Sequence, residues 1–354
     1  MSAKWEINQK QFIANIKHVI KDNPVMAVVK NNAYNFGLDF SIQCMTSCGI
    51  TYFSTTSLEE AIAIRALDSE CDIFLMNPTT NFDALKQYNI EMTLPSIAFF
   101  EQYSAQLEGI KVHLEYENLL HRSGFRTLES MQILLDKITE EKHGIVIKGL
   151  WTHFGYADEF DVEDYTVERK HWLNVVQQLT DQYQFEIIHA QNSASYVRED
   201  GLLPDHTHLR LGIILYGARP YSALPESITA QSLRLSSHVI QIRNIKQGQS
   251  AGYSFAYTAK QDTRLAVVAI GYGDGILRTR AQHDCLINGK RYPIKALMMS
   301  HMFVEVDEHV NPGDIVYLYH EAMRIDEYTF KGVGANSEQL SALNHNTLIM
   351  EVTQ

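Results

Sequence analysis

From residue 26 to about residue 217 the chain alternates short apolar runs with stretches in which apolar residues recur every three or four positions. The runs fall at 26–30, 51–56, 71–76, 91–95, 112–117, 147–154, 186–192 and 208–217. Short apolar runs bounded by polar turns predict buried strands, and the stretches between them predict helices. Ser57-Leu58-Glu59-Glu60 has the spacing of a capping box opening one such helix. Residues 167–183 place Trp172, Val175, Val176 and Leu179 on one face of another. Eight strand candidates, most followed by a helical stretch, predict a TIM-type (β/α)8 barrel. A doubly wound open sheet is the competing arrangement.

Beyond about residue 225 strands follow one another without clear helices, at 233–245, 265–272, 285–294, 302–306 and 315–319. Asn288-Gly289 sits between two such segments and is a strong two-residue hairpin signal. The expected fold class is therefore α/β. A barrel over 1–225 precedes a mainly β C-terminal domain over 226–354, and the Pro, Ser and Ala of 220–225 suggest a linker.

A length of 354 residues fits this two-part plan, and 45% apolar with 20% charged residues fits a globular enzyme. Net charge is 30 − 42 = −12, which argues against nucleic acid or an anionic membrane as partner. The opening Met1-Ser2-Ala3-Lys4-Trp5-Glu6 lacks a signal core, and the longest apolar runs are too short to cross a bilayer. Four cysteines without paired ligand spacing predict reduced thiols in a cytoplasmic protein. His206-Thr207-His208 has no third ligand at a useful spacing, so no metal is expected.

Chemistry in a parallel barrel sits at the C-terminal ends of its strands. Those positions hold Lys30 and Tyr34, Glu115 and Arg122, His153, Asn192 and Ser193, then Arg210 and Gly212. A lysine there can cap its strand and point into water. Partly desolvated, its amine loses basicity and can condense with an aldehyde. An amine, an imidazole, two guanidiniums, hydroxyls and main-chain amides are the groups a phosphorylated aldehyde needs.

The ordered motifs carry the reading further. They are Ala27-Val28-Val29-Lys30-Asn31-Asn32-Ala33-Tyr34, Thr152-His153-Phe154, Asn192-Ser193-Ala194, Arg210-Leu211-Gly212-Ile213-Ile214-Leu215-Tyr216-Gly217, Gly252-Tyr253-Ser254 and Ile270-Gly271-Tyr272-Gly273-Asp274-Gly275. Over nearly its whole length the chain resembles the pyridoxal-phosphate alanine racemases, which join a barrel to a β domain. Within them it resembles the divergent second racemase of some Gram-positive bacteria. The resemblance implies pyridoxal 5′-phosphate carried by Lys30. It implies a phosphate site at Tyr34, Ser193 and the main chain of Gly212 and Ile213, with Arg210 opposite the pyridine nitrogen. Arg122 is implied beside the cofactor hydroxyl and the substrate carboxylate, and the Met299 amide as a second carboxylate contact. Tyr272 resembles a gate on substrate access. Lys30 and Tyr253 are implied as bases on opposite faces of the α-carbon, with His153 and Arg210 lowering the Tyr253 pKa. Tyr253 comes from the partner subunit, which implies a homodimer with shared sites. The implied function is supply of D-alanine to the cell wall.

Three positions depart from the family pattern. Glu115 stands where a lysine that becomes carbamylated is usual, and supplies a negative charge beside Arg122 without carbon dioxide. Ser300 replaces an aspartate, and Met350 replaces a tyrosine that walls the pocket. These changes open a second reading, a racemase for serine or larger amino acids. A decarboxylase on the same architecture would place Glu, not Arg, at the pyridine nitrogen and a reactive Cys in the β domain; Cys285 precedes a hairpin and reads as structural. A non-catalytic cofactor carrier would lack the β domain and Tyr253.

Overall fold

A computed structural model describes residues 3–354; Met1 and Ser2 of the opening segment lie outside the described residues. The described residues form two compact units, one of residues 20–212 and one that gathers 3–19 with 213–354.

The strands in chain order begin with β1 (Lys4–Asn8), followed by β2 (Val25–Val28), β3 (Tyr52–Thr55), β4 (Asp72–Leu75) and β5 (Glu91–Leu94). They continue with β6 (Lys111–Glu115), β7 (Val146–Trp151), β8 (Ile187–His189) and β9 (Leu209–Leu211). The first unit is the parallel sheet β8-β7-β6-β5-β4-β3-β2-β9. Beyond its laddered pairs, Arg210 N donates to Gln191 O at 2.9 Å and Thr207 N to Ile188 O at 2.9 Å. These bonds join the two outer strands, as a closed barrel requires. All eight expected runs contain a strand. β2, β6 and β7 each begin one residue earlier than expected, and β9 ends at Leu211, so residues 213–217 of the last run form a turn instead of barrel strand.

Helices alternate with the strands and start on side-chain caps. Ser57, Asn81, Ser96, Thr127 and Asn192 each accept a main-chain N–H from the first turn, a contact worth ~1 kcal/mol. The expected capping box at Ser57 is only half formed. Its hydroxyl accepts Glu60 N at 3.3 Å, but the Glu60 carboxylate is used elsewhere: it accepts the Thr55 hydroxyl and Asn32 N, the latter at 2.7 Å. The reciprocal box lies instead at Asn192 and Ser195, where Asn192 N donates to Ser195 Oγ at 2.9 Å.

The second unit is antiparallel apart from one pair. It contains β1, β10 (Leu233–Ile245) and the short pair β11 (Ser250–Ala251) and β12 (Tyr257–Thr258). It goes on through β13 (Thr263–Val268), β14 (Asp284–Ile287), β15 (Lys290–Leu297), β16 (Met302–Glu305), β17 (Ile315–Tyr319) and β18 (Ile349–Thr353). The main sheet runs β13-β16-β15-β14-β17-β10-β1-β18, with β10 also pairing β13. Ile287 faces Lys290 across the Asn288-Gly289 turn, whose φ values of 50° and 77° are those of a type I′ hairpin. Two short helices, Ile325–Phe330 and Asn336–Ser341, were not expected.

The compact units divide elsewhere than at 225. Residues 3–19 join the β unit because β1 alternates buried and half-buried positions and pairs with β10 and β18. Residues 213–225 join it through Arg219, whose N and Nε both donate to Asp326 Oδ2, at 2.9 and 3.2 Å. Arg324 donates to the same carboxylate at 2.7 Å and to Thr229 O and Gly217 O. The proline-bearing stretch is thus pinned rather than loose.

Candidate active site

Five successive residues after Lys30, Asn31 to Asn35, have φ between 52° and 66°. Left-handed backbone costs an L-residue ~1–2 kcal/mol, so the turn must be held by other bonds. Ala33 N donates to Val29 O, Gly37 N to Asn32 O, and Leu38 N to the Asn32 side chain at 2.9 Å. The Glu60 carboxylate closes the set on Asn32 N. Local strain of this kind collects at functional sites.

The turn carries Tyr34 to Gly212, just beyond β9. A Cβ on Gly212 would lie 2.5 Å from the Tyr34 hydroxyl, so only glycine permits this approach. Gly212 N lies 3.3 Å from the Ser193 hydroxyl at the first turn of the helix Ser193–Glu199. The Lys30 amine is held below its ordinary value by burial, then by the charges of Arg122 and Arg210. A depressed amine, two hydroxyls and a main-chain N–H against a glycine that tolerates no Cβ fit an aldehyde cofactor with a phosphate tail.

Glu115 ends β6 and is buried; its carboxylate lies 3.6 Å from Arg122 Nη2. Burial lifts the Glu115 pKa, against Ser123 and Arg122. The loop bearing Arg122 is closed by Phe125 N donating to Glu115 O and Glu117 N donating to Phe125 O.

Arg210 is fully enclosed. Its Nη2 donates to His153 Nδ1 at 2.9 Å and to Thr152 O at 3.1 Å, and its Nη1 donates to His189 Nδ1 at 2.9 Å. Its guanidinium also stands 4.8 Å over the Trp151 ring. Burial, then Arg122, pulls it down to about 9, still cationic at neutral pH. His153 is pushed well below the usual imidazole range by burial and then by Arg210, so it is neutral.

The barrel unit thus brings together Lys30, Tyr34, Arg122, His153, Ser193, Arg210 and Gly212. Ile213, Tyr253, Tyr272 and Met299 belong to the β unit. There Tyr272 N donates to Met298 O and Gly273 N to Met299 O, which places the expected gate beside the expected carboxylate contact. The Arg278 guanidinium stands 4.8 Å over the Tyr272 ring. Tyr253 opens a tight turn in which Ser254 and Phe255 are left-handed, and Tyr253, Phe255 and Met299 are 71%, 80% and 60% exposed. Ser300 is exposed, and Met350 lies in β18 opposite Trp5. Cys285 is buried, its thiol pushed up to about 12, which suits structure rather than reaction. His206 is bonded too: it accepts the Trp172 indole N–H at 2.6 Å, with its Nδ1 2.8 Å from Pro204 O.

Sequence reading gave Glu60 a capping role only, and it missed Tyr52, Glu91, His113, Lys148 and His189 inside the barrel. The signal was present: charged or polar residues interrupt runs that otherwise read as wholly apolar strands.

Comparison with known proteins places this geometry. Residues 7–220 match the model of the alanine racemase N-terminal domain and residues 232–347 that of the C-terminal domain. The chain is 57% identical over 355 residues to alanine racemase 2 of Staphylococcus aureus (strain COL), covering 99% of this chain and 98% of that protein. It is 28% identical to alanine racemase 1 of Bacillus subtilis (strain 168), over 87% of this chain and 80% of that protein. The crystal structure of alanine racemase from E. faecalis superposes with a TM-score of 0.88 at 24% identity, covering 99% of this chain and 98% of that one. A lysine on a left-handed turn, an arginine facing two imidazoles and full-length likeness to racemases in both halves lead to one assignment: the chain belongs to the alanine racemase family.

Proposed function

We propose that this protein interconverts L- and D-alanine with pyridoxal 5′-phosphate, with Lys30 and Tyr253 as bases on opposite faces of the substrate. The observation that carries the reading is the convergence, at one end of the barrel, of a depressed Lys30 amine with the Arg210–His153 pair and the Tyr34–Gly212–Ser193 cradle. When bound, the cofactor draws electrons from the α-carbon so that its proton becomes removable. Tyr34, Ser193 and the amides of Gly212 and Ile213 would hold the phosphate. Arg210 would face the pyridine nitrogen and, staying cationic itself, would donate no proton to it. Arg122, balanced by Glu115, would orient the substrate carboxylate, and the resemblance would add the Met299 amide as a second contact and Tyr272 as the gate. His153 is neutral and accepts from Arg210 through Nδ1, so its Nε2 carries a proton and can face the tyrosine base.

Tyr253 reaches the site from a second subunit. Its own exposure, with that of Phe255 in the same turn, supports a covering partner, because an apolar group of this size is seldom left to water. The substrate is a small amino acid, and the product D-alanine serves the cell wall. No helix among the described residues is long and apolar enough to cross a membrane, and four free thiols suit a cytoplasmic enzyme. Ser300 and Met350 favour a second reading, a wider substrate range.

The test is incubation of the cofactor-loaded protein with L-alanine in deuterated water, following α-proton exchange and chirality together. Exchange with appearance of D-alanine is expected. Exchange without inversion would remove Tyr253 as second base, and no exchange with alanine but exchange with serine would transfer the assignment to the wider range.

A further inference from the structure

The barrel core contains a line of polar groups that the reaction as described does not use. Arg210 Nη1 donates to His189 Nδ1. His189 Nε2 lies 3.0 Å from His113 Nδ1, and His113 Nε2 lies 2.9 Å from Glu91 Oε2. The other Glu91 oxygen accepts the Lys148 ammonium, which also lies 3.3 Å from Asp72, and the Tyr52 hydroxyl donates to Glu91 as well. His113, His189 and Glu91 are at most 1% exposed. Phe74 stacks on His113 with centroids 4.4 Å apart, and Trp151 stacks on His189 at an interplanar angle of 3°. His113 faces Gly149 across the β6–β7 ladder, and a Cβ on that glycine would run into its ring. The rings are therefore fixed in place and shielded.

The hydrogen bonds can point in only one direction. Arginine cannot accept, so His189 Nδ1 bears a lone pair and its proton sits on Nε2. That proton points at His113 Nδ1, so His113 also carries its proton on Nε2 and donates to Glu91. A carboxylate only accepts, which agrees with the assignment from the arginine end. Burial alone would raise Glu91, but His113 and Lys148 outweigh it and hold it at about 2, so it is ionised at neutral pH.

We propose that Glu91, oriented by Lys148, is a positioning residue for the reaction: through His113 and His189 it sets the direction of the bonds that leave Arg210 donating to His153. This rests on the placement of Arg210 and His153 in the active site given above.

Glu91→Gln tests it. An amide NH2 turned to the Lys148 ammonium would set donor against donor, so the carbonyl keeps Lys148 and the NH2 turns to His113. Both imidazoles must then move their protons to Nδ1, and His189 meets Arg210 donor to donor. In the double variant Glu91→Gln/Lys148→Met the ammonium is gone. The carbonyl can turn to His113 and the original tautomers return.

The measurement is long-range nitrogen–proton NMR of histidine side chains in the cofactor-loaded protein, alongside turnover, KM and melting temperature. Wild type is expected to show His113 and His189 protonated on Nε2. The single variant should show both on Nδ1, with turnover down roughly tenfold to a hundredfold, the scale of one hydrogen bond to a charged group, and KM little changed. The double variant should regain the wild-type tautomers and most of the turnover. Nδ1 protonation in wild type would overturn the proposal even if the single variant does not fold. So would switched tautomers with unchanged turnover, or a double variant no faster than the single. Unchanged turnover in Arg210→Lys would instead overturn the placement of Arg210 itself.

Discussion

In the proposed site the Glu115 carboxylate would stand in for the carbamylated lysine of the family pattern. It is fixed in a buried strand end, 3.6 Å from Arg122, and brings its own charge. Intact-mass measurement of the native protein is therefore expected to give the unmodified chain whether or not bicarbonate is present; a carbon dioxide adduct on any lysine of the site would contradict this. Burial raises the Glu115 pKa, so on acidification Arg122 loses its partner at a higher pH than an ordinary glutamate, near about 4.3, would allow. The sign follows: the ion pair is complete above the raised value and lost as pH falls through it. The acidic limb of kcat/KM should begin above the ordinary carboxylate range. Glu115→Gln should remove that limb while lowering the plateau, and a limb that survives in Glu115→Gln would assign it to another group. At Gly212 the constraint is steric. Gly212→Ala drives a methyl against the Tyr34 hydroxyl and should cost about 1–3 kcal/mol and weaken cofactor retention. Adding Tyr34→Phe should recover part of the stability, read as melting temperature.

At the scale of elements, the left-handed turn behind Lys30 depends on a helix that does not contain it. Glu60 lies one turn into Leu58–Leu67 and accepts both Asn32 N and the Thr55 hydroxyl. Glu60→Ala leaves those donors unpaired, at about 1–3 kcal/mol. Amide exchange over 31–36 should quicken while exchange in β3 to β5 stays slow; uniform quickening would show that the turn has no separate support. The eight barrel strands and the Asn288-Gly289 hairpin were legible because burial on both faces, or a two-residue turn, leaves a mark within a few adjacent residues. The hand of the turn was not. Asn31-Asn32-Ala33-Tyr34-Asn35 permits the left-handed region but does not demand it, and Glu60 is 28 residues from the Asn32 amide it holds. Lys30 and Ser193 do follow strand ends, those of β2 and β8, whereas Arg210 lies inside β9. The line from His189 to Lys148 did not, because each member reads alone as an oddity in an apolar run. The division at 212 was hidden for a similar reason: Arg219 finds Asp326 107 positions away. That pair is also an acid switch. Burial alone would raise Asp326, but Arg324 and Arg219 hold it below its ordinary value. Its contribution to stability is therefore present above the unfolded value and lost as pH falls through the folded one.

At the scale of the whole molecule, the decisive question is whose Tyr253 serves whose Lys30. If the chain forms the proposed dimer, the Lys30→Ala and Tyr253→Ala homodimers should each be nearly inactive; loss of one acid–base group typically costs ~10²–10⁴ in rate. Suppose the two are mixed, unfolded together and reassembled. Half of the dimers are then hybrids. If Tyr253 crosses to the partner's barrel, one site of each hybrid contains both lesions and the other contains neither. Activity should return to about a quarter of wild type, half the dimers times half their sites, as two-fold exchange of one residue requires. If Tyr253 served its own chain, every site in every hybrid would keep one lesion and mixing would restore nothing. Phe255→Glu separates the two explanations of a failed mixture. It puts a charge on a side chain that is 80% exposed in the single chain and is expected to split the dimer and abolish activity together, by sedimentation and turnover on the same sample. A monomer that still racemises would show that Tyr253 acts within its own chain, and the exposed turn at 253–255 would then need a different partner.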